Sequence, residues 1–257
     1  MDYLALNKAA WDKRTALHVD SEFYDVAGFL AGNSSLKSIE RDLIGDVSAK
    51  KLLHLQCHFG LDSLSWARLG AEVTAVDLSS EAIQQAKALA EQTQQTVEFI
   101  CDDVYHYGEV TRPIHDWVFV SYGALCWLPD IERWAQVVAA SLKTGGKLCL
   151  AEFHPVHDLI SGYGYFHREQ ADLDEEGSYT ENDDGEVSPM LTWGHPISDV
   201  VNALIKAGLI IEQLKEYDYS PYNCFEDLVE REPGQFYYEH EHYESPLVYS
   251  IVARKSA

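Results

Sequence analysis

Four places in this chain put ligand-holding residue types at the end of an apolar run. Gln56-Cys57-His58-Phe59-Gly60 closes the run 51–56, and Gly60, lacking a Cβ, lets the backbone come close to a ligand. Asp77 ends the run 72–77, roughly 20 residues further on, where a carboxylate holds both hydroxyls of a ribose; Leu78 adjoins it. Asp102 and Asp103 follow the run 97–101 and are placed to accept from an adenine amino group, with the Val104 amide offered to the ring. Ser121 and Tyr122 close the run 117–122, where such a ligand and a second reactant would meet.

Each feature alone is ordinary, since strand-end acids are commonly helix caps or solvated charges. Their order carries the weight, and it depends on the elements between them. Helical patterns over about 62–69 and from Ser79 or Ser80 to about 92, and a helix capped by Asp130, alternate with the apolar runs. A fifth strand covers 147–153. The alternation predicts parallel strands joined by right-handed crossovers, a Rossmann-like, doubly wound α/β sheet whose ligand lies beyond the carboxyl ends of the strands. Strands at 209–217 and 247–253 predict an antiparallel C-terminal hairpin that completes seven mostly parallel strands, after a helix capped by Ser198. The expected layout is a single domain over 1–257. Residues 1–50 form a helical lead-in, 51–155 the ligand-binding half, and 156–197 and 218–246 cap insertions. The first insertion carries nine acids between Glu169 and Glu186 and no periodic run, and reads as a solvated lid.

Composition narrows the partners. A net charge of −23 repels phosphate backbones and anionic membranes, so nucleic acid and membrane are excluded as expected partners and a small molecule is favoured. Five scattered cysteines predict reduced thiols in a cytoplasm, with no disulfide framework and no metal site. The start of the chain lacks the pattern of a secretory signal. A monomer or homodimer is expected.

The segments KLLHLQCHFGLDSLSWARLGAEVTAVDLS, VEFICDDVY, VFVSYGALCWLPD and LKTGGKLCLAEFHP resemble the class I S-adenosylmethionine-dependent methyltransferases. The likeness is closest to a bacterial branch with an LHLQCHFG loop and a late WxH…SPYNCF segment, here Trp193-Gly194-His195 and residues 220–225. It implies S-adenosylmethionine as cofactor and S-adenosylhomocysteine as product. It further implies cofactor contacts at Gln56, His58 and Gly60 on the methionine and ribose side, at Asp77 on the ribose, at Asp102 and Asp103 on the adenine, and at Ser121 near the sulfonium. Trp11, His18 and Tyr24 of the lead-in fold over the cofactor by the same resemblance. The wider class has an acid and a Gly-x-Gly-x-Gly loop where this chain has His54, Gln56 and His58, with only Gly60 kept. The branch resemblance favours a loop that approaches differently, with Gln56 on the amino-acid end of the cofactor.

Methyl transfer from a sulfonium chiefly needs alignment and exclusion of water, with a general base where the acceptor must lose a proton. His154, directly after the fifth strand, and His195, before the next helix, are the expected catalytic bases. Tyr122, Trp127, Trp193 and Tyr222, with Tyr217, Tyr219 and Phe225, are expected to wall a small-molecule acceptor pocket. Two further functions stay open at this point: a non-catalytic S-adenosylmethionine-binding regulatory module, and a nicotinamide-dependent oxidoreductase. The second lacks the glycine set that cradles a diphosphate.

Overall fold

The computed structural model describes residues 2–225, 227–239 and 244–256. Three helices lead in: α1 (Tyr3–Val19), α2 (Val26–Leu30) and α3 (Ser38–Ile44). The alternating part follows as β1 (Lys51–Leu55), α4 (Leu61–Arg68), β2 (Glu72–Asp77), α5 (Ser80–Thr93), β3 (Val97–Cys101), α6 (Val104–Val110), β4 (His115–Ser121), α7 (Ile131–Ser141) and β5 (Leu142–Phe153). The first insertion contains α8 (Val156–Ile160) and the antiparallel hairpin β6 (Asp172–Glu176) and β7 (Ser188–Thr192). Then come α9 (Ile197–Lys206), β8 (Leu209–Tyr217), a second hairpin of β9 (Leu228–Glu232) and β10 (Gln235–Tyr238), and β11 (Val248–Lys255). Part of the expected 218–246 insertion lies outside the described residues.

Seven strands form one sheet in the order β3-β2-β1-β4-β5-β11-β8, with β1 to β5 parallel and β11 antiparallel to both of its neighbours. The expected doubly wound sheet and closing antiparallel pair are both present. Because helices cover both faces, the central strands are apolar on both. Leu53 and Leu55 point into a core with α6, α7 and α9, while Leu52 points into a second core with α4 and α5.

Caps set the helix starts. Ser79 accepts the Ala82 amide at the head of α5, and Asp130 accepts the Arg133 amide at the head of α7. Ser198 does not cap α9: the helix starts two residues earlier on Pro196, and the Ser198 hydroxyl turns to Asp199. Proline already supplies a helical φ at that boundary.

The acidic insertion is folded rather than irregular. Its hairpin packs on α1 through Asn7, whose side chain donates to the Leu191 carbonyl and accepts the Leu191 amide, both at 2.8 Å. Asp12 ties the other flank of α1 to the α5 N-terminus, accepting from the Ser79 hydroxyl and the Glu81 amide.

Candidate active site

The strand order reverses between β1 and β4, and a cavity of about 1170 Å³ opens at the carboxyl ends of the strands there. Gln56, His58, Gly60, Asp77, Leu78, Asp102, Asp103, Val104 and Ser121 all line it, as do Trp11 and Tyr24 from the lead-in. So do Tyr122, Trp127, Trp193 and Tyr222. His18 does not: it is buried behind the wall, with its Nδ1 2.9 Å from His58 Nε2 and its Nε2 3.1 Å from the Ser178 hydroxyl.

The loop after β1 keeps the backbone shape that glycines favour without keeping the glycines. Gln56 and His58 have φ of 57° and 51°, and Gly60 has φ of 80°. A left-handed φ costs a side-chain-bearing residue roughly 1–2 kcal/mol, so this loop is strained at two of its three turning points. Gln56 is anchored by a 2.6 Å hydrogen bond from its amide nitrogen to the Ala124 carbonyl. Its Oε1 and the Nδ1 of His58 are buried and have no partner. Gly60 also serves the packing, because a Cβ there would sit 2.7 Å from the Phe99 ring. The bare Cα is needed for helix α4 to lie close against the sheet.

Asp77 closes the loop from the other side. Its Oδ2 accepts the His58 amide at 2.7 Å and its Oδ1 the Ser79 amide at 2.8 Å. Its deep setting outweighs those bonds and pushes its carboxyl up to about 6. Each oxygen keeps a lone pair, enough for two hydroxyl donors. Asp102 and Asp103 divide their work. Asp103 caps α6, accepting the Tyr105 and His106 amides on Oδ1. Both oxygens of Asp102 lie 2.8 Å from His106 Nδ1.

Neither expected histidine base reaches the cavity. His154 is buried with both ring nitrogens engaged, Nδ1 accepting the Val156 amide and Nε2 donating to Glu216 at 2.8 Å. His195 donates Nε2 to the Leu128 carbonyl at 2.7 Å, stacks on His167, and is driven down to about 4 by burial. A position after a strand suited both residues, but their hydrogen-bond partners make them braces of the turns they occupy.

Four charged groups at the site carry no motif. Asp62, in the first turn of α4, lines the cavity, accepts from Ser35 and Ser121, and is raised by its deep setting. Glu40, wholly buried in α3, accepts the Tyr122 phenol at 2.8 Å. Glu152, near the end of β5, accepts the amides of Gly123, Ala124, Leu125 and Phe153, which fixes the loop after β4. Arg14 is buried beside the Trp11 and Trp127 rings and donates to the Gly177 carbonyl. The acid in the α4 first turn was legible as a helix-start preference; the others depend on tertiary neighbours. Among the described residues no cluster fit to hold a metal ion occurs, and no helix is long and apolar enough to cross a membrane.

Comparison with known proteins agrees with this architecture. Residues 52–146 match the family model for a methyltransferase domain. The chain is 34% identical over 113 residues to the ubiquinone biosynthesis O-methyltransferase of Coxiella burnetii, a span of 44% of this chain and 47% of that protein. The chain thus spans about half the length of the curated relatives it matches. A solved S-adenosylmethionine-dependent methyltransferase from Clostridium acetobutylicum superposes with a TM-score of 0.60 at 13% identity, covering 98% of this chain and all 100% of that one. The [4+2]-cyclase SpnF superposes with a TM-score of 0.55 at 15% identity, covering 96% of this chain and 82% of that one. At such identities the structural likenesses establish the fold. Together with the domain match they bear out the resemblance to class I S-adenosylmethionine-dependent methyltransferases.

Proposed function

We propose that this chain, which carries a methyltransferase domain over residues 52–146, transfers the methyl group of S-adenosylmethionine to a small-molecule acceptor. One observation carries the reading: the residues singled out at the ends of four successive strands line a single cavity. The donor set suits the cofactor. Asp77 retains acceptor capacity for a ribose diol, and the unpartnered Gln56 Oε1 and His58 Nδ1 suit the polar amino-acid end. Asp103 and the Val104 amide border the adenine end. When bound, the cofactor supplies an electrophilic methyl and a neutral thioether leaving group.

The chain's own contribution is alignment and dryness. Trp11 and Tyr24 from the lead-in, together with Trp127, Trp193 and Tyr222, wall the cavity. Holding two reactants in line in this way lowers a barrier by up to roughly 7–11 kcal/mol in favourable cases. A cavity of about 1170 Å³ has room for a cofactor and a small acceptor together. The charge of −23 argues against a nucleic-acid substrate.

The fold also hosts chemistry other than methyl transfer, as the cyclase shows. The decisive assay therefore reads product directly. Calorimetry should show S-adenosylmethionine and S-adenosylhomocysteine binding and NAD not binding. S-adenosylhomocysteine release over a panel of phenols, carboxylic acids and amines should then identify the acceptor. Tighter binding of NAD would overturn the reading, and cofactor binding without release across the panel would favour the regulatory module.

A further inference from the structure

Glu40 is 0% exposed, yet only one of its oxygens serves its own helix. Oε1 accepts the Lys37 amide that opens α3, and Oε2 accepts the phenol of Tyr122 at 2.8 Å. Tyr122 lines the cavity beside Ser121 and Tyr222, just past the end of β4. Its φ is 27°, a conformation that costs a bulky residue on the order of 1–3 kcal/mol and that proteins keep mainly at working sites. The strained turn is held by a 2.7 Å bond from the Tyr122 amide to the Ala151 carbonyl. A phenol at the reacting edge of the sheet thus stands between the cavity and a dry carboxylate.

The groups bearing on this pair are mostly acids and phenols. Asp62 acts on both partners, Tyr222 acts on Tyr122, and the Cys149 thiol and Tyr217 phenol face Glu40. Burial, and then the Asp62 charge, push Glu40 up to about 7, while the Lys37 amide and the Tyr122 hydroxyl pull it back. A carboxylate in that range accepts a proton at neutral pH and releases it again.

We propose that Tyr122 is the catalytic residue that removes the proton of a hydroxyl acceptor, passing its own proton to Glu40, so that the acceptor is a compound with a weakly acidic hydroxyl such as a phenol. This rests on the methyl-transfer reading. The acceptor O–H bond breaks as its proton goes to the Tyr122 oxygen, and the Tyr122 proton moves to Glu40 Oε2. The acceptor oxygen bonds to the methyl carbon, and the S–CH₃ bond breaks with its electron pair remaining on sulfur. The products are a methyl ether, a neutral thioether and the Glu40 carboxylic acid, which returns its proton to solvent once product leaves. A neutral amine attacks with its lone pair and needs no such partner before bond formation, which is why the pair selects a hydroxyl.

The test uses the full chain, S-adenosylmethionine, and catechol as the probe acceptor, over about pH 5.5 to 9. The wild-type rate should rise about tenfold per pH unit below a midpoint near 7 and level off above it. Glu40→Gln keeps the cap, because a glutamine oxygen still accepts the Lys37 amide. It should lower the plateau by roughly 10²–10⁴-fold and abolish the rising limb, and Tyr122→Phe should do the same. Calorimetric affinity for S-adenosylhomocysteine should stay within about threefold in both, so that a damaged cofactor site is not mistaken for a lost relay. Independently of turnover, infrared titration of the S-adenosylhomocysteine complex should show a carboxylic-acid band that disappears through neutral pH and is missing in Glu40→Gln. This titration decides the matter if catechol is not turned over. Glu40→Gln with a wild-type rate and limb, or no such titrating band, overturns the relay. Failure of the unmutated chain to bind S-adenosylhomocysteine would instead overturn the methyl-transfer reading.

Discussion

The cavity has two walls built on different principles. The carboxyl edge of the sheet presents its residues from β-strand ends, so each follows directly from its strand and lies in the order of the chain. The opposite wall, made of α1 and the β6–β7 hairpin, is held by side chains that imitate backbone. Asn7 bonds both polar groups of Leu191, Arg14 donates to the Gly177 carbonyl, and Asn182 donates to the Leu17 carbonyl. A sheet edge tolerates substitution at any residue whose role is only to face the ligand. A wall docked by a few side chains fails at the docking residue.

The largest expected effect on cofactor affinity is on the sheet side, at Asp77, which both holds the loop and faces the cavity. Asp77→Asn replaces a carboxylate oxygen that accepts an amide with a nitrogen that cannot, while removing the charge that would face a diol. Lost charge-assisted bonds of about 2–3 kcal/mol correspond to roughly 30–150-fold weaker S-adenosylhomocysteine binding. Calorimetry checks this, and an affinity within threefold of wild type would remove Asp77 from the site.

On the cap side, Asn7→Leu leaves the Leu191 amide and carbonyl unpaired in a buried setting. Each orphan costs about 1–3 kcal/mol. The cost should appear as local opening, with hydrogen exchange at Leu191 and proteolysis near residues 177–186 rising well before the sheet unfolds. If protection falls equally in β1 and β4, the two walls are one cooperative unit and the contrast fails.

That contrast also explains what the sequence made legible. Strand ends, the caps at Ser79 and Asp130 and the central strands follow from periodicity and local chemistry. The cap does not, because its patterns are inverted. The helical lead-in expected for 1–50 is present in α1, but the inward stripe of that helix is Asn7, Ala10, Arg14, Thr15 and His18, mostly polar, so the pattern does not say which face docks. In β6, Asp172, Asp174 and Glu176 turn toward the cavity while Leu173 faces solvent, the reverse of an ordinary half-buried strand. A run of acids there reads as a solvated lid. The two histidines expected as bases were misplaced for a related reason. Being near a strand end does not determine which neighbours a ring nitrogen finds.

A smaller effect separates strain from contact within the sheet-edge loop. Changing both Gln56 and His58 to glycine relieves two left-handed residues, about 2–4 kcal/mol on the folded side before the extra flexibility of glycine in the unfolded chain offsets part of it. It also removes the unpartnered Gln56 Oε1 and His58 Nδ1. The Gln56–Ala124 and His18–His58 hydrogen bonds and the packing of the His58 ring go with them, which outweighs the relieved strain. The expected outcome is a lower melting temperature with S-adenosylhomocysteine binding weaker by about tenfold, the worth of one hydrogen bond. Unchanged affinity would mean that both side chains only fill space.

The smallest effect distinguishes Asp102 from Asp103. Asp102 spends both oxygens on the exposed His106, whose pKa is raised by that hydrogen bond and charge. Because the histidine's pKa is raised, the pairing is fully present below its ordinary value and is lost as pH rises through the raised one. An exposed pair of this kind contributes little, so His106→Ala should change S-adenosylhomocysteine affinity by no more than about threefold at any pH. Asp103 uses Oδ1 for the amides of Tyr105 and His106, at the start of the helix whose first residue, Val104, also lines the cavity. Asp103→Ala should therefore weaken binding more than Asp102→Ala does, because it removes the cap that sets the position of Val104 as well as the acceptor itself. The reverse ranking would assign the adenine contact to Asp102 and make His106 its competitor.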